Sequence, residues 1–343
     1  MVPCAGTPSA TFTGAMRTRP KPPRFLPILA ATAACVLIGC SDGGSGGPAG
    51  LDAMASQDGG AVVALHGQVV DHDTRVALAR VRVSGGGATT WTDEAGRFSL
   101  TVAPDAELSF SGAGYYDRVT AVEGFAVTYS LVPRSFDMTA FNDVARDHSA
   151  GTLRWTSAPD VYVDVRGHSF APGQNVAAAW VDQVASLAPG FVRSWTGGTL
   201  STRSVSVGSA PPPAGTPGVI VIAFDEDPAH YPNATAAGSA IASWDTQGVI
   251  RSATVRFRFS HLTGEAAAFS RQAVIGHELG HALGLAHMDG GVPSMMAAII
   301  RTPELTVFDR AAGRLLYDRR PGNRADDRES GAGLRSITTL ASR

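Results

Sequence analysis

The chain is short of cysteine. Only Cys4, Cys35 and Cys40 occur among 343 residues. All three fall in the N-terminal segment, which excludes a disulfide framework or a thiolate metal site in the body of the protein. An excess of charge is also missing: 28 Lys and Arg face 30 Asp and Glu, for a formal net charge of -2. That balance leaves no electrostatic footprint for nucleic acid and no polybasic patch for a membrane surface. The apolar run from Phe25 to Gly39 is shorter than the roughly 20 residues a bilayer-crossing helix needs. With 44% hydrophobic and 17% charged residues, the rest has a globular composition.

The N-terminal run has its own pattern. Arg17, Arg19, Lys21 and Arg24 precede it, and it ends Leu37-Ile38-Gly39-Cys40. This resembles a bacterial lipoprotein signal, in which a cysteine after small residues is lipidated and becomes the mature N-terminus. The resemblance implies a signal over 1–39 and a lipid anchor on Cys40. Ser41 follows where an aspartate would imply inner-membrane retention, so the implied location is the outer membrane of a Gram-negative envelope, facing either side. An ordinary secretory signal cut nearby is the other reading. Residues 1–15 are unlike the start of a signal, which makes Met16 an alternative first residue. Cleavage before Cys40 would leave no cysteine free to block a metal. Residues 40–60, rich in Gly, Ser, Ala and Asp, read as a flexible tether.

From 61 to 133, short alternating runs are separated by turn residues: Gly67–Asp71, Ala79–Val83, Thr92–Leu100 and Leu108–Ser111. Strict alternation of this kind predicts a small all-β sandwich. The run Thr92-Asp93-Glu94-Ala95-Gly96-Arg97-Phe98-Ser99-Leu100, followed by Gly114-Tyr115, resembles carboxypeptidase regulatory-like domains. That resemblance implies positioning or protein contact rather than chemistry.

The clearest signal lies further on, in His277-Glu278-Leu279-Gly280-His281-Ala282-Leu283-Gly284-Leu285-Ala286-His287. Positions four apart share a helix face, so His277 and His281 can aim at one point. Gly284 can take a left-handed conformation, end the helix and turn His287 back as a third ligand. Three imidazoles leave zinc a fourth position for water, the pattern of a catalytic Zn²⁺ site. Glu278 reaches the same cleft as a candidate general base. A helix with surface histidines and a glycine cap is the plain alternative. His168, His230 and His261 read as surface or strand-end residues rather than ligands.

Ser294-Met295-Met296 follows after a short Gly-rich stretch. Together with the long histidine motif, it resembles the metzincin clan of zinc metallopeptidases, whose motif is followed by a methionine-containing turn. The resemblance assigns Met296 the place of an apolar floor beneath the metal. It also implies a zinc endopeptidase acting on protein or peptide. Where some metzincins carry a tyrosine two residues past that methionine, this chain has Ala298, and Met288-Asp289 follows the third histidine. No particular metzincin family is indicated.

The flanking pattern predicts an α+β fold. Asp160–Val165, the apolar run Gly218–Phe224 and the alternating Ser252–Phe259 read as strands; Asn175–Leu187 and Ala266–Leu283 read as helices. Phe308–Tyr317 reads as a closing helix with Thr306 as its N-cap. A mixed, mostly parallel twisted sheet backed by helices is expected over a catalytic part at 134–320, with a polar, fraying tail at 321–343. Gly238–Ser243 reads either as an edge strand that pairs with substrate, as the resemblance implies, or as an ordinary hairpin strand. The chain is expected to be a monomer that binds no nucleic acid. Two competing functions are an envelope lipoprotein without catalysis, binding a protein or glycan, and a zinc hydrolase of non-peptide substrates.

Overall fold

The computed structural model describes residues 62–122, 126–146, 151–262, 267–288, 291–324, 327–329 and 339–341. The expected signal over 1–39, the anchor at Cys40 and the tether over 40–60 lie outside these residues. Among the described residues, no helix is long and apolar enough to cross a membrane.

Seven strands come first: β1 (Val63–Asp71), β2 (Arg82–Gly85), β3 (Ala88–Trp91), β4 (Arg97–Val102), β5 (Glu107–Ser111), β6 (Arg118–Ala121) and β7 (Ala126–Leu131). They form two small sheets, ordered β4-β1-β7 and β3-β2-β5-β6. Alternation is the cause. In β4, Phe98, Leu100 and Val102 are buried while Arg97, Ser99 and Thr101 are exposed, as a period of two requires of a strand with one wet face. Both sheets contribute to one apolar core, with Leu65, Val83, Phe98, Phe110 and Tyr129 among its members.

Then follow α1 (Met138–Ala145), β8 (Asp160–His168), α2 (Ala178–Trp195), β9 (Ser204–Gly208), β10 (Val219–Asp225), β11 (Gly238–Trp244), β12 (Ile250–Phe257), α3 (Ala267–Ala282), α4 (Val307–Asp318) and β13 (Thr339–Ala341). The fold is therefore mixed α+β. Its largest sheet is ordered β13-β11-β12-β10-β8-β9. Strands β9, β8, β10 and β12 run parallel, and β11 is antiparallel to β12. The apolar run of β10 lies inside this sheet, where a strand covered on both faces belongs. A second core unites these strands with Trp195 of α2, Leu279 of α3 and Leu315 of α4.

Helix α2 continues to Trp195 instead of ending near Leu187, with Pro189 inside it. The proline forfeits one helical hydrogen bond at a cost of about 3 kcal/mol. Burial of Ala188, Phe191, Val192 and Trp195 offsets that loss. The sequence pattern does not reveal α1, β6, β7 and β9.

The described residues between 321 and 329 depart from the expectation of a fraying tail. Asn323, Asp327 and Glu329 are buried. Arg319 donates to Asp327 through Nε at 2.7 Å and Nη2 at 2.8 Å, and Arg146 adds a contact at 3.2 Å. Arg118 and Thr120, in β6, both donate to Glu329. The Val119 N–H donates to the Asp327 carbonyl at 3.1 Å and the Glu329 N–H to the Val119 carbonyl at 2.9 Å, so 327–329 extends the edge of the four-stranded sheet. Locally these charges look like a solvated run; Arg319 and Asn323 lie within eight residues of Asp327, whereas Arg146, Arg118 and Thr120 come from far along the chain.

Burial alone would raise the Asp327 carboxyl, yet Arg319, followed by Arg118 and Arg146, holds it down to about 2. Its folded value lies below the unfolded value of about 3.9. The stability it contributes is therefore complete above that unfolded value and is lost as pH falls through about 2. Asp327→Ala leaves Arg319 buried without its main partner and should cost about 3–5 kcal/mol at neutral pH. Urea midpoints for parent and variant should converge on acidification; a gap that stays constant down to the lowest pH would contradict this account.

Candidate metal centre

Helix α3 ends where the glycine pattern predicts. Gly284 has φ of 102°, in the region that glycine tolerates without strain. The Gly284 N–H donates to the His281 carbonyl and the Leu285 N–H to the Gly280 carbonyl, each at 3.0 Å. Those two bonds are the Schellman pair that closes a helix on a left-handed residue. A Cβ at 284 would sit 2.0 Å from the Leu153 carbonyl oxygen, so only glycine fits. The chain then reverses, and the Ala286 N–H donates to the Val144 carbonyl at 2.7 Å. Trp155 Nε1 donates to the Ala282 carbonyl at 2.9 Å and the Tyr317 hydroxyl to the Leu283 carbonyl at 3.1 Å, which satisfies carbonyls the helix end would otherwise leave bare.

This reversal brings three imidazoles together. Nε2 of His277 lies 3.1 Å from Nε2 of His287 and 3.1 Å from Nε2 of His281. The other ring nitrogens explain how they are oriented. His277 Nδ1 lies 2.7 Å from the Met295 carbonyl oxygen, and His281 Nδ1 lies 2.7 Å from that of Leu285. A carbonyl only accepts, so each Nδ1 carries the proton and each Nε2 presents a lone pair. Lone pairs facing each other at this distance repel unless a cation sits between them. Three nitrogens about 2.0–2.1 Å from one tetrahedral ion would stand about 3.3 Å apart, close to what is seen. Burial, opposed by the bond to Met295 and aided by His287, lowers the His277 pKa to about 4, which keeps that ring neutral. These three residues could hold a metal ion.

The sequence pattern does not reveal how the following turn is fixed. Asp309, buried in the first turn of α4, accepts from the Ser294 hydroxyl, from the Met295 N–H at 2.9 Å and from the Thr306 N–H at 2.8 Å. It closes the capping box begun by Thr306 and clamps the Ser294-Met295-Met296 turn with the same carboxylate. The T-x-x-D spacing at 306–309 was the available signal. Two glycines of α3 admit the turn. A Cβ on Gly276 would lie 2.5 Å from Met295 Sδ, and one on Gly280 would lie 2.5 Å from Met296 Sδ. Trp195 Nε1 donates to the Gly276 carbonyl at 2.8 Å and ties α2 to the same spot.

Glu278 lines a cavity of about 280 Å³ together with His277, His287, Gly238, Val274, Ala298 and Ile300. Its Oε2 has no hydrogen-bond partner. Burial pushes its carboxyl up to about 8. His168 and His230 sit elsewhere, against Asp164 at 3.0 Å and Asp225 at 2.5 Å, and His261 is exposed. Among the described residues, neither they nor any acidic side chain joins the three-histidine group.

No protein-family model matches this chain, and no curated protein does. Solved structures match it only in part, each with a TM-score of 0.18. A 3-chlorocatechol 1,2-dioxygenase from Rhodococcus opacus 1CP is 16% identical over 21% of this chain and 59% of its own. A streptococcal ancillary pilin is 18% identical over 22% and 33%, and a 9R-lipoxygenase from Cyanothece PCC8801 is 14% identical over 39% and 23%. The chain spans less than two thirds of each. Likeness this slight carries no argument about fold or function.

One expectation needs correction. Gly238–Ser243 does form a strand beside the cavity, but it is not the sheet's outermost one. Ile241, Ala242 and Ser243 pair with Ala341, Leu340 and Thr339 of β13. The pairing joins segments about a hundred residues apart in sequence, so no local pattern announces it.

The glycine contacts give a paired test. Gly276→Ala should destabilise the protein by about 1–3 kcal/mol, because overpacking against Met295 and Phe191 outweighs the gain in helix propensity. Gly190→Ala, in α2, meets nothing within 4 Å and should stabilise by about 0.5–1 kcal/mol. Thermal melts of the two variants that move in the same direction would contradict the contact.

Proposed function

We propose that this protein is a zinc-dependent endopeptidase of metzincin type, with a β-sandwich accessory part and a lipid anchor at Cys40 in the outer membrane of a bacterial envelope. The observation that carries the catalytic reading is the juxtaposition at 277–287: three Nε2 atoms converge, those of His277 and His281 as lone pairs, and the buried carboxyl group of Glu278, which lines the same cavity, has an oxygen with no hydrogen-bond partner. Burying a carboxyl group with an unpartnered oxygen costs stability. A binding scaffold has no use for it, whereas a reaction that moves a proton does.

When bound, zinc supplies Lewis acidity and lowers the pKa of a coordinated water to about 7. His277, His281 and His287 would hold it as neutral ligands, with the Met295 and Leu285 carbonyls keeping the tautomers right. Glu278 takes a proton from the attacking water on its carboxylate and delivers it to the nitrogen of the leaving amine. Met296, packed against Gly280, forms an apolar floor that keeps the histidine face dry. The resemblance of the histidine motif and methionine turn to metzincins favours a peptide over another hydrolysable substrate.

Glu278→Gln should retain the metal while losing about 10²–10⁴ in kcat. The check is hydrolysis of casein or a peptide library, with and without chelator, alongside metal analysis. Chelator-insensitive cleavage, or a Glu278→Gln variant that works at the parent rate, would end this reading.

A further inference from the structure

We infer that Gly238 is a positioning residue whose missing side chain holds the place of the Glu278 carboxylate. The inference rests on the proposed role of Glu278. A Cβ at 238 would lie 2.5 Å from Glu278 Oε1, 2.6 Å from its Cγ and 2.7 Å from its Cδ. All three nearest contacts belong to one side chain. No other requirement for glycine is visible there. Gly238 is absent from the residues with positive φ, so its backbone conformation suits any amino acid.

The strand cannot retreat to make room. Gly238 pairs with Phe257 of β12, and the preceding Ala237 carbonyl accepts the Arg258 N–H at 2.9 Å. Both positions, 238 and 278, are buried. A methyl group at 238 therefore forces the softer partner to move, which is the end of the Glu278 side chain. The fold survives such a shift far better than the chemistry does. Displacing a catalytic group by about 1 Å can cost on the order of a hundredfold in rate, while the histidines, fixed by other contacts, still bind metal.

The test is a double-mutant cycle between Gly238→Ala and Glu278→Ala. In metal-free protein, Gly238→Ala should lower the melting temperature by roughly 2–5 °C with Glu278 present and by nothing when Glu278 is already alanine. In the zinc-loaded protein, Gly238→Ala should keep its metal, leave KM within about twofold and lower kcat by about tenfold to a hundredfold. Any residual rate of Glu278→Ala should be unchanged by adding Gly238→Ala. Equal melting penalties in both backgrounds would overturn the inference, and so would a Gly238→Ala enzyme with parent kcat. If the parent hydrolyses no peptide, the proposed activity fails separately, and the melting arm alone decides whether the two positions are coupled.

Discussion

Two hydrogen bonds from imidazole N–H groups to backbone carbonyls set the character of this site. The Met295 and Leu285 oxygens fix the tautomers of His277 and His281. Without them either ring could flip or present a proton to the other. With them, lone pairs are driven together at a distance that is unfavourable in isolation and favourable around a cation. The acceptors come from the two segments that follow α3. One is the Leu285 carbonyl, just past the Gly284 reversal; the other is the methionine turn. Helix end, turn and histidine cluster are therefore one device.

What holds that device is close backbone approach, secured by the absence of side chains. Gly276 and Gly280 let two methionine sulfurs reach the surface of α3, Gly284 lets the chain reverse against Leu153, and Gly238 lets β11 run past Glu278. Gly276 and Gly280 cost helix propensity and Gly238 costs strand propensity. The buried carboxylate of Asp309 then clamps the turn to α4. Rigidity comes from packing and a few buried polar bonds, and the position of the catalytic candidate follows from it.

Much of this was legible in the sequence because the governing rules are local. The four-residue spacing of His277 and His281 prescribes a shared helix face, Gly284 prescribes the reversal, and the apolar run at 218–224 prescribes a buried strand. Thr306 marks the start of α4. Other features were hidden because they depend on partners remote in sequence. Asp327 looks like part of a solvated charged run until Arg146, 181 residues away, joins Arg319 around it. The value of Gly238 is set by a side chain forty residues away, and the pairing of β11 with β13 has no periodic signature of its own. Pro189 misleads for another reason: its local preference is real, and tertiary burial overrides it.

The claim on which the rest depends is that three imidazoles share one divalent ion. The most direct measurement is calorimetric titration of chelator-treated protein with zinc, with His281→Ala as the comparison. The account predicts one tight ion per chain, with affinity falling at least a hundredfold in the variant. Stoichiometry near zero in the parent, or the same binding in the variant, would contradict it.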